Sequence, residues 1–175
     1  MADPTLQSLL TTTYTKENFH RKAMLLKEFF SKRFFREQEQ KPVKTSLRDF
    51  LEEQNTGEAL KESLLALPDE FFSAFSAEHA SDIIHGLEQE VDSRPLLTLY
   101  VPTVLPPKEV EDLGKWARSN IREDVFLDLH VDASSVGGCS FVWNGVRHDY
   151  SLRYYFDKNR NEIRNLIRTF DNGGQ

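Results

Sequence analysis

Apolar residues in this chain repeat with two different periods, and the change falls at Ser93-Arg94-Pro95. Upstream of that seam the spacing is three to four. In KENFHRKAMLLKEFFSKRFFREQ, Phe19, Ala23, Leu26, Phe30 and Phe34 share one helical face. Leu25, Phe29 and Phe35 widen that face, and Lys22, Lys32, Arg33 and Arg36 are expected outside it. Pro42 ends the helix, and Ser46 is placed to N-cap the next one, LRDFLEEQ. Asn55-Thr56-Gly57 and Pro68 punctuate further short helices, and Ser76 begins AEHASDIIHGLEQEV. This pattern predicts a small helical bundle over residues 1–92.

Downstream the period drops to two. Leu97, Leu99 and Val101 alternate with Thr98 and Tyr100, which predicts a strand. Pro106-Pro107 opens a helix, KEVEDLGKWARSNI, with Val110, Leu113, Trp116 or Ala117, and Ile121 on one side. In DVFLDLHVD a second strand puts Val125, Leu127, Leu129 and Val131 on one face and Phe126, Asp128 and His130 on the other. Asn144-Gly145 then sets a hairpin, because both central residues of a type I′ turn need positive φ; this pairs Trp143 with Val146 and Phe141 with His148. The last stretch, RYYFDKNRNEIRNLIRTF, reads as a helix with Phe156, Ile163, Leu166, Ile167 and Phe170 apolar and an Arg160/Arg164/Arg168 stripe; DNGGQ reads as a frayed tail. The fold class is therefore α+β: an all-α bundle over 1–92, followed over 95–175 by a small β-α-β-β-α domain with a hairpin.

Charge is segregated along this frame. Residues 16–44 hold nine Lys/Arg against four acids, residues 46–92 twelve acids against two bases, and residues from 93 onward are balanced at eleven each. The two halves of the bundle thus face different partners or each other, and the acidic part favours a basic partner surface. One cysteine excludes an internal disulfide and the CxxC zinc frameworks. The opening MADPTLQSLL lacks the basic and apolar regions of a signal peptide, so a cytosolic setting is expected.

Reactive chemistry has few footholds. Cys139 follows Gly137-Gly138, yet the hairpin register does not pair it with His148, and no helix N-terminus follows it to lower its pKa. His130, Asp132, Cys139 and His148 fit no zinc spacing, and the GxSxG, GxxxxGK and GxGxxG patterns are absent. Trp143, Tyr150, Tyr154 and Tyr155 interleave with Arg147, Arg153, Arg160 and Arg164, the composition of an RNA-stacking surface, though without an RNP or GxxG signature. The paired aromatics Phe29-Phe30, Phe34-Phe35 and Phe71-Phe72 are expected to fill the bundle core. Neighbours cannot all face one core, so some are expected to line a groove for a partner helix.

The order of parts carries a resemblance. A helical N-terminal region leads into LLTLYVPTVLPPKEVEDLGKWA and then VFLDLHVDASSVGGCSFVWNGVRHDYSLRYYF. A strand ending in Val131-Asp132, a loop into Gly137-Gly138, a hairpin at Asn144-Gly145 and Asp149-Tyr150-Ser151 before the last helix resemble the delta subunit of F-type ATP synthases, the oligomycin-sensitivity-conferring protein family, in a divergent bacterial-type form. Within it, Asp132, Gly137, Gly138, Asn144, Gly145, Asp149 and Ser151 read as fold determinants. The glycines permit a sharp turn and close packing on a helix, and Asp149 or Ser151 caps that helix.

The resemblance implies a structural subunit that is not an enzyme and needs no cofactor or metal. It would join the catalytic head to the subunit b stalk and resist rotor torque during proton-driven ATP synthesis. The N-terminal bundle would take the N-terminal helix of an alpha subunit, with Phe19, Phe30, Phe34, Phe71 and Phe72 as candidate contacts. The C-terminal domain would take the ends of the subunit b helices, with Trp143, Tyr154 and Tyr155 as candidates. Such a subunit sits on the cytoplasmic side of the inner membrane, touches the membrane only through the complex and binds no nucleic acid; the alternative is an RNA-binding α+β module.

Overall fold

The computed structural model describes residues 4–35 and 41–172, so Arg36 and the end of the DNGGQ tail lie outside the described residues. The fold is α+β: helices α1 (Pro4–Thr11), α2 (Lys16–Phe35), α3 (Val43–Glu53), α4 (Glu58–Leu65), α5 (Asp69–Ser73) and α6 (Ala80–Asp92) precede strand β1 (Leu96–Val101). Helix α7 (Pro107–Asn120), strands β2 (Phe126–Val131), β3 (Ser140–Trp143) and β4 (Val146–Asp149), and helices α8 (Leu152–Lys158) and α9 (Arg160–Asn172) follow. The chain forms two compact units. The first holds the residues up to Pro95 together with Pro107–Phe126, and the second holds Leu96–Pro106 and the residues from Leu127 onward.

In the first unit, the paired phenylalanines are explained by the roughly 100° between successive helical positions. Phe29 turns to Phe50 of α3, with ring centroids 5.8 Å apart, while Phe30 stacks on Phe75 at 4.3 Å and on Phe34 at 5.7 Å. Phe71 packs on Phe75 at 5.1 Å and edge-on to Phe72 at 5.3 Å. Phe19 meets Phe126 in a T-shaped pair at 6.3 Å. Phe35, expected to widen the apolar face, is instead 93% exposed, since it lies one step past Phe34 and turns off the packed side.

Two other expectations for this region are corrected. Ser46 does not cap α3: the helix begins at Val43 behind Pro42, whose carbonyl accepts from the Thr45 and Ser46 N–H groups. Ser46 is buried within the helix, and its hydroxyl accepts from Arg33 Nη1 at 2.9 Å, which ties α2 to α3. Lys22, which its spacing sets outside the apolar face, is nonetheless only 3% exposed. Its ammonium donates to Thr12 O at 2.8 Å, Thr12 Oγ1 at 3.2 Å and Thr13 Oγ1 at 2.8 Å, so it closes the free carbonyl end of α1.

Arg118 of α7 works on the same helix end, donating to Leu10 O and Thr13 O while its guanidinium lies over the Tyr14 ring. Tyr14 in turn lies against Gly114, where a Cβ would overlap its ring. These contacts explain why α7 belongs with the N-terminal helices, although the sequence placed it in the C-terminal domain.

Burial lowers the Lys22 pKa from its ordinary 10.5 to about 8. The folded value lies below the unfolded one, so folding at neutral pH carries the cost of a buried charge. Between the two values the unfolded chain binds more protons than the folded chain, and stability rises with pH. In urea unfolding between about pH 7 and pH 10, the stability of wild type relative to Lys22→Met is expected to rise by about 1–3 kcal/mol. A pH-independent difference would show that the amine is solvated.

In the second unit the sheet order is β2-β1-β3-β4. Phe126 N–H donates to Pro95 O and Asp132 N–H to Val101 O, so β2 runs parallel to β1 at one constant offset. The other two pairings are antiparallel. Leu97, Leu99 and Val101 are buried, as their alternation predicts. In β2 the alternation fails: Val125, Phe126 and Leu127 are all buried, whereas Val131 is more than half exposed. Phe126 was expected on the polar face, but it enters the helical core beside Phe19 and Arg118, so the start of β2 is covered on both faces.

Candidate partner-binding surface

The route into the C-terminal helices is built by the hairpin. Asn144 (φ 50°) and Gly145 (φ 76°) form the turn, and Trp143↔Val146 and Phe141↔His148 pair in the predicted register. The antiparallel ladder continues past the strands, with Tyr150 N–H donating to Cys139 O and Leu152 N–H to Gly137 O, both at 2.9 Å. This continuation needs the two glycines. A Cβ on Gly137 would lie 2.8 Å from Leu152 Cδ1, and Gly138 has φ 75° with its Cβ position overlapping the Tyr150 carbonyl oxygen.

Ser151 then starts α8: its hydroxyl accepts from Tyr154 N–H at 3.2 Å. Asp149 supports the cap by accepting from Ser151 N–H at 2.9 Å, and hydrogen bonds from Ser151 hold its carboxyl below the usual range. Asp132 is held low in the same way, by bonds from the Ser134 hydroxyl and N–H. Because both folded values are depressed, their contribution is present above the ordinary carboxylate range and is lost as pH falls through the lowered values. Ser151→Ala is expected to cost about 1 kcal/mol and Ser151→Asn much less, read by urea unfolding followed at Trp143. Equal losses for both variants would remove the capping role.

Of the residues proposed for partners, Phe19, Phe30, Phe71 and Phe72 are buried and form the core of the bundle, so these four rings do not line a groove. Phe34 is half-buried against Phe30. Trp143 is half-buried on β3, whereas Tyr154 and Tyr155 are exposed on α8. Their neighbours complete a surface that sequence reasoning did not assign to partners. Leu152 and Phe156 on α8, and Leu166 and Ile167 on α9, are all exposed, the last two at 60% and 58%. From Leu152 to Thr169, no residue is buried. The expected single helix is broken at Asn159 (φ −105°, ψ 20°), whose side-chain amide donates to Tyr155 O and whose carbonyl accepts from Ile163 N–H to begin α9.

Polar groups nearby are largely occupied. Arg147 lies over the Tyr100 ring at 5.4 Å and donates to Ser140 Oγ, and His130 stacks on Tyr100 at 5.3 Å, with its Nε2 2.8 Å from Asp128. Arg147, one of the residues of the aromatic–arginine pattern, is therefore engaged within the sheet. The ring of His148 lies on Phe141 at 4.9 Å, and Cys139 is half-buried opposite Tyr150. Among the described residues there is no cluster of three metal-ligating side chains, and no helix is long and apolar enough to cross a membrane.

The acidic part of the bundle is partly neutralised by Lys41–Asp49, Lys44–Asp69 and Lys61–Glu52 pairs, each at 3.0 Å. Glu53, Glu62, Glu70, Glu78 and Asp82 remain exposed with no ion pair among the described residues. In comparison with known proteins, no family model matches the chain and no curated protein matches it.

Proposed function

We propose that the chain is a non-catalytic linker of the peripheral stalk of an F-type ATP synthase, a subunit that holds two partners rather than transforming a substrate. The observation that carries this reading is the α8–α9 segment. It is fixed to the sheet by a capped, glycine-dependent junction, yet it presents Leu152, Tyr155, Phe156, Leu166 and Ile167 uncovered. An amphipathic helix of this length is marginal in water unless something packs on its apolar side. A stalk helix of subunit b is the occupant that the resemblance supplies, and the unpaired carboxylates of α3–α6 suit a basic face on the catalytic head. The protein would then act at the cytoplasmic side of the inner membrane, within a proton-translocating complex that it joins by protein contacts alone.

The test is retention of the catalytic head and of a soluble subunit b fragment on the immobilised full chain. Both are expected to bind. The Leu166→Asp/Ile167→Asp variant is expected to lose the b fragment while keeping the head, because both substituted side chains are more than half exposed. Failure of wild type to retain either partner overturns the reading.

A further inference from the structure

The surface just described has an edge that says what kind of helix it takes. At 100° per residue, Ile163, Leu166 and Ile167 fall on one side of α9, and Arg160, Arg164 and Arg168 run along one border of that side. All three arginines are exposed, and none has an ion pair with a carboxylate whose side chain is described. Three cations spaced by one turn repel one another mildly along a helix. They are relieved when carboxylates of equal spacing lie opposite. The sole acidic residue in the first turn, Glu162, projects from the other border.

We infer that α9 selects an amphipathic partner helix whose apolar stripe is flanked, on the side facing Arg160, Arg164 and Arg168, by acidic residues at i, i+4 spacing. The inference deepens the stalk-linker reading, naming the chemistry of the helix that this surface takes. The apolar residues supply the buried area, and the arginines set orientation, since reversing the partner helix would carry its acidic border away from them. A second copy of the chain is a poorer occupant, because antiparallel pairing of two α9 helices would set their arginine borders against each other.

The experiment uses the full chain and two designed helical peptides, alike in a leucine stripe, one with Glu and its twin with Lys along one border. Fluorescence anisotropy is expected to show the Glu peptide binding about tenfold tighter at low salt, with the gap narrowing as salt rises. The Arg160→Glu/Arg164→Glu/Arg168→Glu variant, checked for unchanged helix content by circular dichroism, is expected to invert the preference. Leu166→Asp/Ile167→Asp is expected to abolish binding of both peptides. Equal binding of the two peptides by wild type, or no binding, overturns the inference. So does a concentration-dependent dimer that the Glu peptide fails to dissociate, or retention on anionic vesicles that the Glu peptide fails to compete. If the Glu preference holds while the catalytic head is not retained, the stalk assignment falls and the acidic-helix specificity stands. If the head and b fragment bind and the peptides are not discriminated, the reverse is true.

Discussion

Phe30→Ala is expected to lower the stability of the helical unit by about 3–5 kcal/mol, a large share of what a domain of this size possesses. The buried Phe30 ring lies nearly parallel to those of Phe34 and Phe75, at 15° and 16°. Truncation removes its ring contacts with Phe29, Phe34 and Phe75 and leaves a void that the packed neighbours cannot fill by sliding. Phe30→Leu keeps most of the volume and is expected to cost less than half as much. Urea unfolding reads the difference, with Trp116 in α7 reporting on this unit once Trp143 is replaced by Phe. A loss under about 1 kcal/mol would mean that the ring stands in solvent and that the groove reading of this residue should return. For the same reason Phe30→Asp is a poor probe of docking: it would place a charge in the core and unfold the bundle before any partner was tested.

The second large effect is expected at Gly138. Replacement by Ala demands a left-handed backbone from a residue with a Cβ, at about 1–2 kcal/mol, and drives that Cβ into the Tyr150 carbonyl oxygen. Backbone cannot rotate away as a side chain can, so a total of about 2–4 kcal/mol is expected. The loss should appear at Trp143 and leave Trp116 unchanged. It should also reduce binding of the b fragment, because the ladder through Cys139–Tyr150 and Gly137–Leu152 is what orients α8. Gly145→Asn is the control: the turn there also has positive φ, but nothing lies within 4 Å of its Cβ position, and Asn tolerates that conformation. A Gly138→Ala protein as stable as Gly145→Asn would refute the close-approach account.

What could be read from sequence was what local rules decide. The β1 alternation and the Asn144-Gly145 register depend on a pleat and a turn, and both were legible residue by residue. The break at Asn159 was not, because an Asn is tolerated within a helix or at its end and only its bond to Tyr155 O shows which. Lys22 and Phe126 were misplaced for a shared reason: their burial is decided by distant segments, the Thr12-Thr13 turn for one and Phe19 with Arg118 for the other. The candidate surface was half legible. The sequence offers Tyr154 and Tyr155 as candidate contacts, and the structure leaves both exposed, whereas it presents Leu166 and Ile167 only as the apolar side of a helix. Their exposure is decided by the lack of covering side chains among the described residues, which no local rule states.

The chain passes between its two units at Pro95, again at Pro106 and again at Phe126. A truncation at residue 95, the boundary that periodicity suggests, would therefore not release two autonomous pieces. The N-terminal product would lack the guanidinium that clasps the end of its first helix and the ring that seats Phe19, and the C-terminal product would carry an orphaned fourteen-residue helix. A fragment meant to fold as the first unit must therefore keep Pro107–Phe126, which the chain supplies only after it has entered the second unit.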